Sequence, residues 1–255
     1  MPKWKLDIEY EGTRYRGWQE QNNTRTVQGE LRKAAEGFLD GPVEIVGSGR
    51  TDAGVHALHQ VAHLRSSRSV PAAVLRQAIN DRLPHDINIR QAEKVAADFH
   101  ARHQAEERFY IYQISTQRTA FGKRFVWWIK DRLDAELMCR TAPRFVGRRD
   151  FAIYREKGEE PSNALVEVTC SELRTHGEMI VFRIGASHFL WKMVRRIVGV
   201  IVEVGRGNLA PKRLDRLSQA EVARWTAPPS GLFLEYVRYP GDKQPGALIP
   251  AVLFR

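Results

Sequence analysis

The sequence predicts an α+β fold of two ferredoxin-like halves, each with the element order β-α-β-β-α-β, around a central antiparallel sheet. Three observations predict it: a strand with period two opens the chain, strand and helix patterns follow it up to about residue 95, and the same order returns after residue 105. The predicted domains are residues 1–104 and 105–255. No sequence repeat relates the halves, so the predicted duplication depends on element order alone.

The first half begins with residues 4–10, in which apolar and charged side chains alternate as in a strand with one buried face. Residues 27–39 follow the helical period, with Thr26 as the predicted N-cap and Gly41-Pro42 after the last turn. The remaining predicted elements are strands at about 43–47 and 60–65, a helix from Pro71 to Leu83, and a strand from Ile87 toward Val95.

The second half begins with a predicted strand over 108–115, which is rich in β-branched and aromatic residues. A helix is predicted from Asp134, and Pro143 should end or kink it. The elements predicted after it are a hairpin of 164–174 and 178–185 turning at His176-Gly177, a long helix over about 188–204, a short helix near 211–221, and a strand at 232–239.

The charge balance favours a polyanionic partner. The chain has 40 Lys and Arg against 30 Asp and Glu, a formal charge of +10, and phosphate contacts release the counterions of a nucleic acid. Many soluble proteins are nevertheless basic without such a partner. Two cysteines exclude a disulfide framework, and no apolar run resembles a signal peptide or a membrane span. A soluble, cytoplasmic protein with no membrane association is expected.

A glycine-rich segment, Gly47–His56, carries the candidate chemistry. Its glycine spacing fits neither a dinucleotide-binding fingerprint nor a phosphate-binding P-loop. What remains is a tight turn that presents Arg50 beside Asp52. A neighbouring arginine favours the ionised carboxylate, and an oriented carboxylate suits nucleophilic or base chemistry at a sugar carbon. The alternative is a structural ion pair that only fixes a loop.

Three histidines follow the turn, and they raise the question of a metal site. His59 and His63 would share a face of a helix, but the sequence around them fits a strand, in which residues four apart lie too far apart to chelate. No Cys, Asp or Glu completes a ligand set with His56 at a convincing spacing. The prediction is that the protein holds no metal.

The run Gly47–Ala57, with Gln60-Val61 after it, resembles the signature of the TruA family of tRNA pseudouridine synthases. Further blocks match in the family's order, at residues 9–21, 98–102, 189–195, 197–199 and 227–232. The matched blocks extend from residue 6 to about residue 239. The resemblance implies the pseudouridine synthase fold, with an active-site cleft between the two halves.

The resemblance also implies roles for individual residues. Asp52 corresponds to the essential catalytic aspartate, and Arg50 to the arginine that pairs with it and helps hold the target nucleotide out of its stack. Tyr110 corresponds to an active-site tyrosine that stacks on uracil and could assist proton transfer at C5. Leu232 matches an apolar position beside the base. Without the resemblance, Tyr110 reads as an ordinary strand aromatic.

The implied enzyme is an isomerase that converts uridine to pseudouridine at positions 38–40, in the tRNA anticodon stem-loop. The C1′–N1 bond breaks and C1′ rejoins the base at C5, so no cofactor or metal is required. Base flipping must expose the nucleotide, and the family implies a homodimer with tRNA as its partner. Two rivals remain: a non-catalytic RNA-binding protein, and a hydrolase that uses Asp52 and nearby histidines with a metal.

The helix predicted over about 188–204 begins a basic region. Between Ser187 and Arg216 there are seven Lys or Arg, against Glu203 and Asp215. Three of these cations lie on adjacent turns and are predicted to bind substrate phosphates: Lys192, Arg195 and Arg196. A solvated basic face is the alternative, although Arg195 also matches an arginine of the family.

Overall fold

The computed structural model describes residues 1–156 and 164–253, which belong to two compact units. The first unit consists of Met1–Glu106 and Leu234–Gln244, and the second of Glu107–Phe233 and Pro245–Arg255. The segment Leu234–Gln244 therefore belongs to the first unit. A single boundary near residue 105 would place it in the second.

The first unit has the predicted β-α-β-β-α-β order. Its strands are antiparallel, in the ferredoxin-like sequence β4-β1-β3-β2. The elements are β1 (Lys3–Tyr10), α1 (Val27–Leu39), β2 (Glu44–Gly47), β3 (His56–Arg65), α2 (Ala72–Asn80) and β4 (Ile87–Lys94). A 3-10 turn, Gly12–Arg14, follows the first strand.

The period of two in β1 is confirmed, since Trp4, Leu6 and Ile8 are fully buried and alternate with half-buried polar residues. The predicted cap of α1 is also confirmed, because the Thr26 side chain accepts a hydrogen bond from the amide of Gly29. The strand β3 starts at His56, four residues before the predicted start at 60. Its buried residues include polar ones, so apolar periodicity alone did not reveal where it begins.

The second unit contains the predicted elements and two short strands besides. The antiparallel order is β5-β9-β8-β7, and β6 pairs with β5 in parallel. The elements are β5 (Glu107–Ser115), β6 (Trp127–Trp128), α3 (Ala135–Thr141), β7 (Gly147–Asp150), β8 (Leu165–His176), β9 (Met179–Ala186), α4 (Met193–Gly205) and α5 (Gln219–Arg224). The last strand, β10 (Leu232–Arg238), begins in this unit and ends in the first.

The helices of the second unit follow the sequence prediction only in part. The helix α3 ends at Thr141, and Pro143 lies in a 3-10 turn, as predicted. The helix α4 starts at Met193 and not at 188, because Lys192 before it has a left-handed φ of 62°. The predicted helix near 211–221 is instead a 3-10 helix, Pro211–Arg216, followed by α5, which starts behind a capping box at Ser218.

The predicted fold class, α+β with mainly antiparallel strands, is confirmed. In the second unit α4 is buried over almost its whole length, and it packs against α3 and α5. None of the helices within residues 1–156 and 164–253 is long and apolar enough to cross a membrane.

Candidate active site

The connection between β2 and β3 contains two of the predicted catalytic residues, Arg50 and Asp52. A turn starts at Asp52, whose carbonyl accepts a hydrogen bond from the amide of Val55 at 3.1 Å. Gly54, the third residue of this turn, has a φ of 78°, a value that other residues rarely adopt. The Asp52 side chain is half-buried, and Arg50 is exposed. The turn thus leaves the carboxylate partly accessible while its backbone is hydrogen-bonded.

Thr51, immediately before Asp52, is buried and held from two sides. Its hydroxyl lies 2.8 Å from the hydroxyl of Tyr10 in β1, and its carbonyl accepts a hydrogen bond from the amide of Trp18 at 3.1 Å. The rings of Tyr10 and Trp18 are packed with their centres 6.1 Å apart. Burial raises the pKa of Tyr10 above its usual range, so this hydroxyl stays neutral.

The segment Tyr15–Trp18 runs close beside the turn. Gly17 has a φ of 99°, and a Cβ built on it would lie 2.6 Å from the carbonyl oxygen of Thr51. The amide of Gly54 donates to the carbonyl of Tyr15 at 3.3 Å. Only glycine permits this approach, because any side chain at position 17 would push the turn away from Trp18.

One end of the connection is hydrogen-bonded to β3, and the other end to the 3-10 turn after β1. The Ser48 hydroxyl donates to Oε1 of Gln60 at 2.8 Å, and Nε2 of Gln60 donates to the carbonyl of Gly49 at 3.1 Å. At the other end, Nδ1 of His56 accepts a hydrogen bond from the amide of Gly12 at 3.0 Å. Ser48, His56 and Gln60 are all buried, so the turn that starts at Asp52 is supported by buried polar groups that are hydrogen-bonded.

The three histidines have separate structural partners. His56 accepts from Gly12, His59 lies 3.0 Å from a carboxylate oxygen of Asp7, and Nδ1 of His63 accepts from the amide of Ala101. Among the residues that the structure describes, no three His, Cys, Asp or Glu are grouped as metal ligands.

The two residues predicted to contact the base, Tyr110 and Leu232, lie in strands β5 and β10. Tyr110 stands opposite Ile184 in the β5–β9 pairing, and its ring meets that of Phe189 edge to face at 5.1 Å. Tyr110 and Leu232, the first residue of β10, are both buried. Asp52 belongs to the first unit and these two residues to the second.

Arg195 is fastened to the segment that precedes β10. Its Nε donates to the carbonyl of Ala227 at 2.7 Å, and its own carbonyl accepts from the amide of Ala227 at 3.0 Å. The side chain remains half-buried. Its charge acts to lower the pKa of Tyr112, but burial dominates and raises that pKa well above its usual range.

Lys192 and Arg196 share one carboxylate. Nζ of Lys192 lies 2.7 Å, and a guanidinium nitrogen of Arg196 3.0 Å, from the same oxygen of Glu156. Arg196 is only 2% exposed and also donates to the carbonyl of Arg155. These contacts give Arg196 a structural role inside the unit, and its predicted phosphate contact has no support in its surroundings.

The sequence did not reveal that Tyr10, Trp18 and Gln60 support the turn. It also did not reveal that His56 accepts a hydrogen bond from the amide of Gly12. The sequence pattern indicates for Tyr10 only a place on the apolar face of β1. Trp18 and Gln60 do lie within sequence blocks that resemble the family, and these blocks were the available signal. Their hydrogen bonds depend on tertiary contacts that no local pattern contains.

Comparison with known proteins identifies the family. A model of the family described as tRNA pseudouridine synthase matches residues 8–104 and 141–240. The tRNA pseudouridine synthase A of Acetivibrio thermocellus is 36% identical over 240 residues, covering 92% of this chain and 98% of that protein. Its counterpart from Aquifex aeolicus is 37% identical over 240 residues, covering 93% and 99%. That of Hyphomonas neptunium is 39% identical over 246 residues, covering 94% and 99%. The chain belongs to the TruA family of tRNA pseudouridine synthases, which are isomerases.

Proposed function

We propose that the protein isomerises uridine to pseudouridine at positions 38–40 of the tRNA anticodon stem-loop, with Asp52 as the catalytic carboxylate. The observation that carries this proposal is the half-buried Asp52, which follows directly on Thr51, a residue fixed by Tyr10 and Trp18. A carboxylate on a backbone held in this way is oriented before substrate arrives, which lowers the entropic cost of catalysis.

The reaction exchanges one bond to the sugar for another. The C1′–N1 bond breaks, the base turns, and a C1′–C5 bond forms; C5 loses a proton and N1 gains one. Positive character develops at C1′ as the first bond breaks, and the Asp52 carboxylate either attacks this carbon or removes a ribose proton. In both cases the carboxylate must be ionised and close to the sugar.

Other residues are assigned supporting roles in this proposal. Arg50 is exposed beside the turn, where it would pair with Asp52 and help hold the target nucleotide out of its stack. Tyr110 and Leu232 would contact the base, one by stacking and hydroxyl-assisted proton transfer at C5 and the other by apolar packing. Of the basic residues of α4 and its N-cap, Lys192 and Arg195 remain the candidates for phosphate contacts, since both are half-buried and Arg196 is enclosed.

The proposed partners follow from the same assignment. The formal charge of +10 suits a tRNA substrate. In this proposal the protein is a cytoplasmic homodimer that binds one tRNA across both subunits.

The test uses unmodified tRNA carrying tritium at C5 of uracil, with chelator present. The wild-type protein should release tritium to water, and mapping of the product should place pseudouridine at positions 38–40. Asp52→Asn should reduce the release at least a thousandfold while tRNA binding is retained. Asp81→Asn is the matched control, because Asp81 is an exposed aspartate at the end of α2, and it should react like the wild type.

Two results would contradict the proposal. Tight tRNA binding without tritium release from any substrate would favour the non-catalytic RNA-binding protein. Release of free uracil or cleavage of the strand would favour a hydrolase.

A further inference from the structure

The loop between β5 and β6 presents a phenylalanine to solvent. Phe121 is 92% exposed, the highest value among the large hydrophobic side chains that the structure describes. Leaving a ring of this size in water forgoes about 2 kcal/mol of burial energy. Single exposed hydrophobic side chains are common on protein surfaces, so a contact surface is inferred from the cationic and aromatic residues near Phe121 in the chain.

This loop has defined hydrogen bonds at both ends and at its tip. Thr116 donates from its amide to the carbonyl of Glu178 at 3.0 Å, and the amide of Phe125 donates to Gly122 at 2.9 Å. At the tip, the hydroxyl of Thr119 accepts hydrogen bonds from the amides of Phe121 and Gly122. The phenyl ring is thus displayed by a hydrogen-bonded turn.

The sequence around Phe121 is basic and aromatic. Exposed cations flank it in the chain, at Arg118, Lys123, Arg124, Lys130 and Arg132. Trp128 is 40% exposed, and the guanidinium of Arg118 lies 5.6 Å from its ring centre. The neighbouring acid, Asp131, is paired with Arg206 at 2.8 Å. We call these residues, from Arg118 to Arg132, the Phe121 surface.

We propose that the Phe121 surface binds the RNA substrate away from its target uridine, with the Phe121 ring stacked on an unpaired base and Lys123 at a phosphate. This inference rests on the proposed function, because it takes that RNA to be the substrate. Interleaved aromatic and cationic side chains are the usual composition of sites for unpaired nucleotides. The loop starts after Ser115, about 16 Å along β5 from Tyr110 at about 3.3 Å per residue, so it contacts a different part of the RNA.

The charge of this surface disfavours a second copy of the chain as the occupant. A symmetric dimer contact would bring the same patch of both copies together, and five exposed cations per copy would then repel one another. Phosphates neutralise these charges, and a base covers the phenyl ring.

The experiment measures the affinity of an unmodified tRNA transcript for the wild-type full chain and for five variants of it. Phe121→Ala and Phe121→Leu should weaken binding roughly 5- to 100-fold, the range of one lost base–aromatic stack. Phe121→Tyr keeps the flat ring and should bind like the wild type. Lys123→Gln should reduce the slope of log K against log salt by about 0.7 to 0.9, the value for one phosphate contact. Ile249→Ala, another exposed hydrophobic residue of the same unit, is the control and should not change binding.

The outcomes separate this inference from the proposed function. For Phe121→Ala, KM in the tritium-release assay should rise more than kcat falls. Wild-type affinity in Phe121→Ala, or in Phe121→Leu, would overturn the stacking proposal even if the protein is an active synthase. A change of oligomeric state in Phe121→Ala would overturn it in favour of a protein contact. Absence of tritium release by the wild type would refute the proposed function, while the binding comparison would still decide the inference.

Discussion

The backbone amide of Trp18 donates to the carbonyl of Thr51 at 3.1 Å, so a buried residue of one loop fixes the residue directly before Asp52 in another. Thr51 receives a second contact from the hydroxyl of Tyr10. The position of the candidate catalytic carboxylate is therefore set from outside its own loop.

Tyr10→Phe should lower the free energy of unfolding by about 1 to 3 kcal/mol, because it leaves the buried hydroxyl of Thr51 without its partner. The double variant Tyr10→Phe/Thr51→Val removes both polar groups and should recover part of this loss. Urea denaturation of the wild type, both single variants and the double variant measures the effect. Additive losses would show that the two hydroxyls do not interact.

Gly17→Ala should reduce kcat at least tenfold and leave tRNA affinity nearly unchanged. The new Cβ would lie 2.6 Å from the Thr51 carbonyl, on a residue with a φ of 99°, and 1 Å displacements near reacting groups are costly. Gly37→Ala is the matched control: this helical glycine has nothing within 4 Å of an added Cβ, and alanine should stabilise the helix by about 0.5 to 1 kcal/mol. Full activity of Gly17→Ala would mean that the turn tolerates movement.

Glu156→Gln should destabilise the second unit by roughly 1 to 3 kcal/mol, because the enclosed Arg196 loses a charged partner. Glu136→Gln is the comparison: it breaks an exposed pair with Arg140 and should cost less than about 0.5 kcal/mol. Thermal and urea unfolding measure both. Equal effects of the two substitutions would show that burial of Arg196 contributes nothing.

Lowering the pH should destabilise the first unit through His63. Burial is the main cause that lowers the pKa of His63 to about 4, and the charge of Lys3 adds to it. The unfolded chain then binds more protons than the folded one between about pH 4 and the usual pKa near 6.5, so stability falls as the pH drops through this window.

The measurement is the free energy of unfolding at pH 7, 6 and 5. His63→Asn keeps an acceptor for the amide of Ala101 and should lose part of the pH dependence. His85→Asn changes an exposed histidine, and the pH dependence of stability should stay as in the wild type. If His63→Asn and the wild type show the same slope, another group is responsible.

Elements with strong local signals were predictable from the sequence. The alternation in β1 and the Thr26 cap of α1 are confirmed because both signals lie within a few residues of the element they define. The strands β6 and β7 were not predicted, since two and four residues with no clear apolar alternation are recognised only by their pairing with β5 and β8. Their existence depends on tertiary neighbours.

In the candidate site, too, local sequence signals were predictive and tertiary contacts were not. Arg50 and Asp52 stand out in the sequence because glycines bracket them. The structure places Asp52 at the start of a turn and Arg50 two residues before it. The burial of Arg196 was not predictable, because its partner Glu156 lies 40 residues earlier in a segment without a clear pattern. Periodicity places Arg196 on a helix but does not tell which acid reaches it.

The hydrogen bond from Gly12 to His56 joins residues 44 positions apart, and the contact of Tyr10 with Thr51 spans 41. Contacts of such long sequence separation form late in folding, because closing the intervening chain first costs conformational entropy. The Asp52 turn should therefore acquire its geometry only when the whole first unit folds. Transplanting residues 47–56 onto another hairpin would carry the aspartate without its orientation, and a working graft would need residues 10–18 as well.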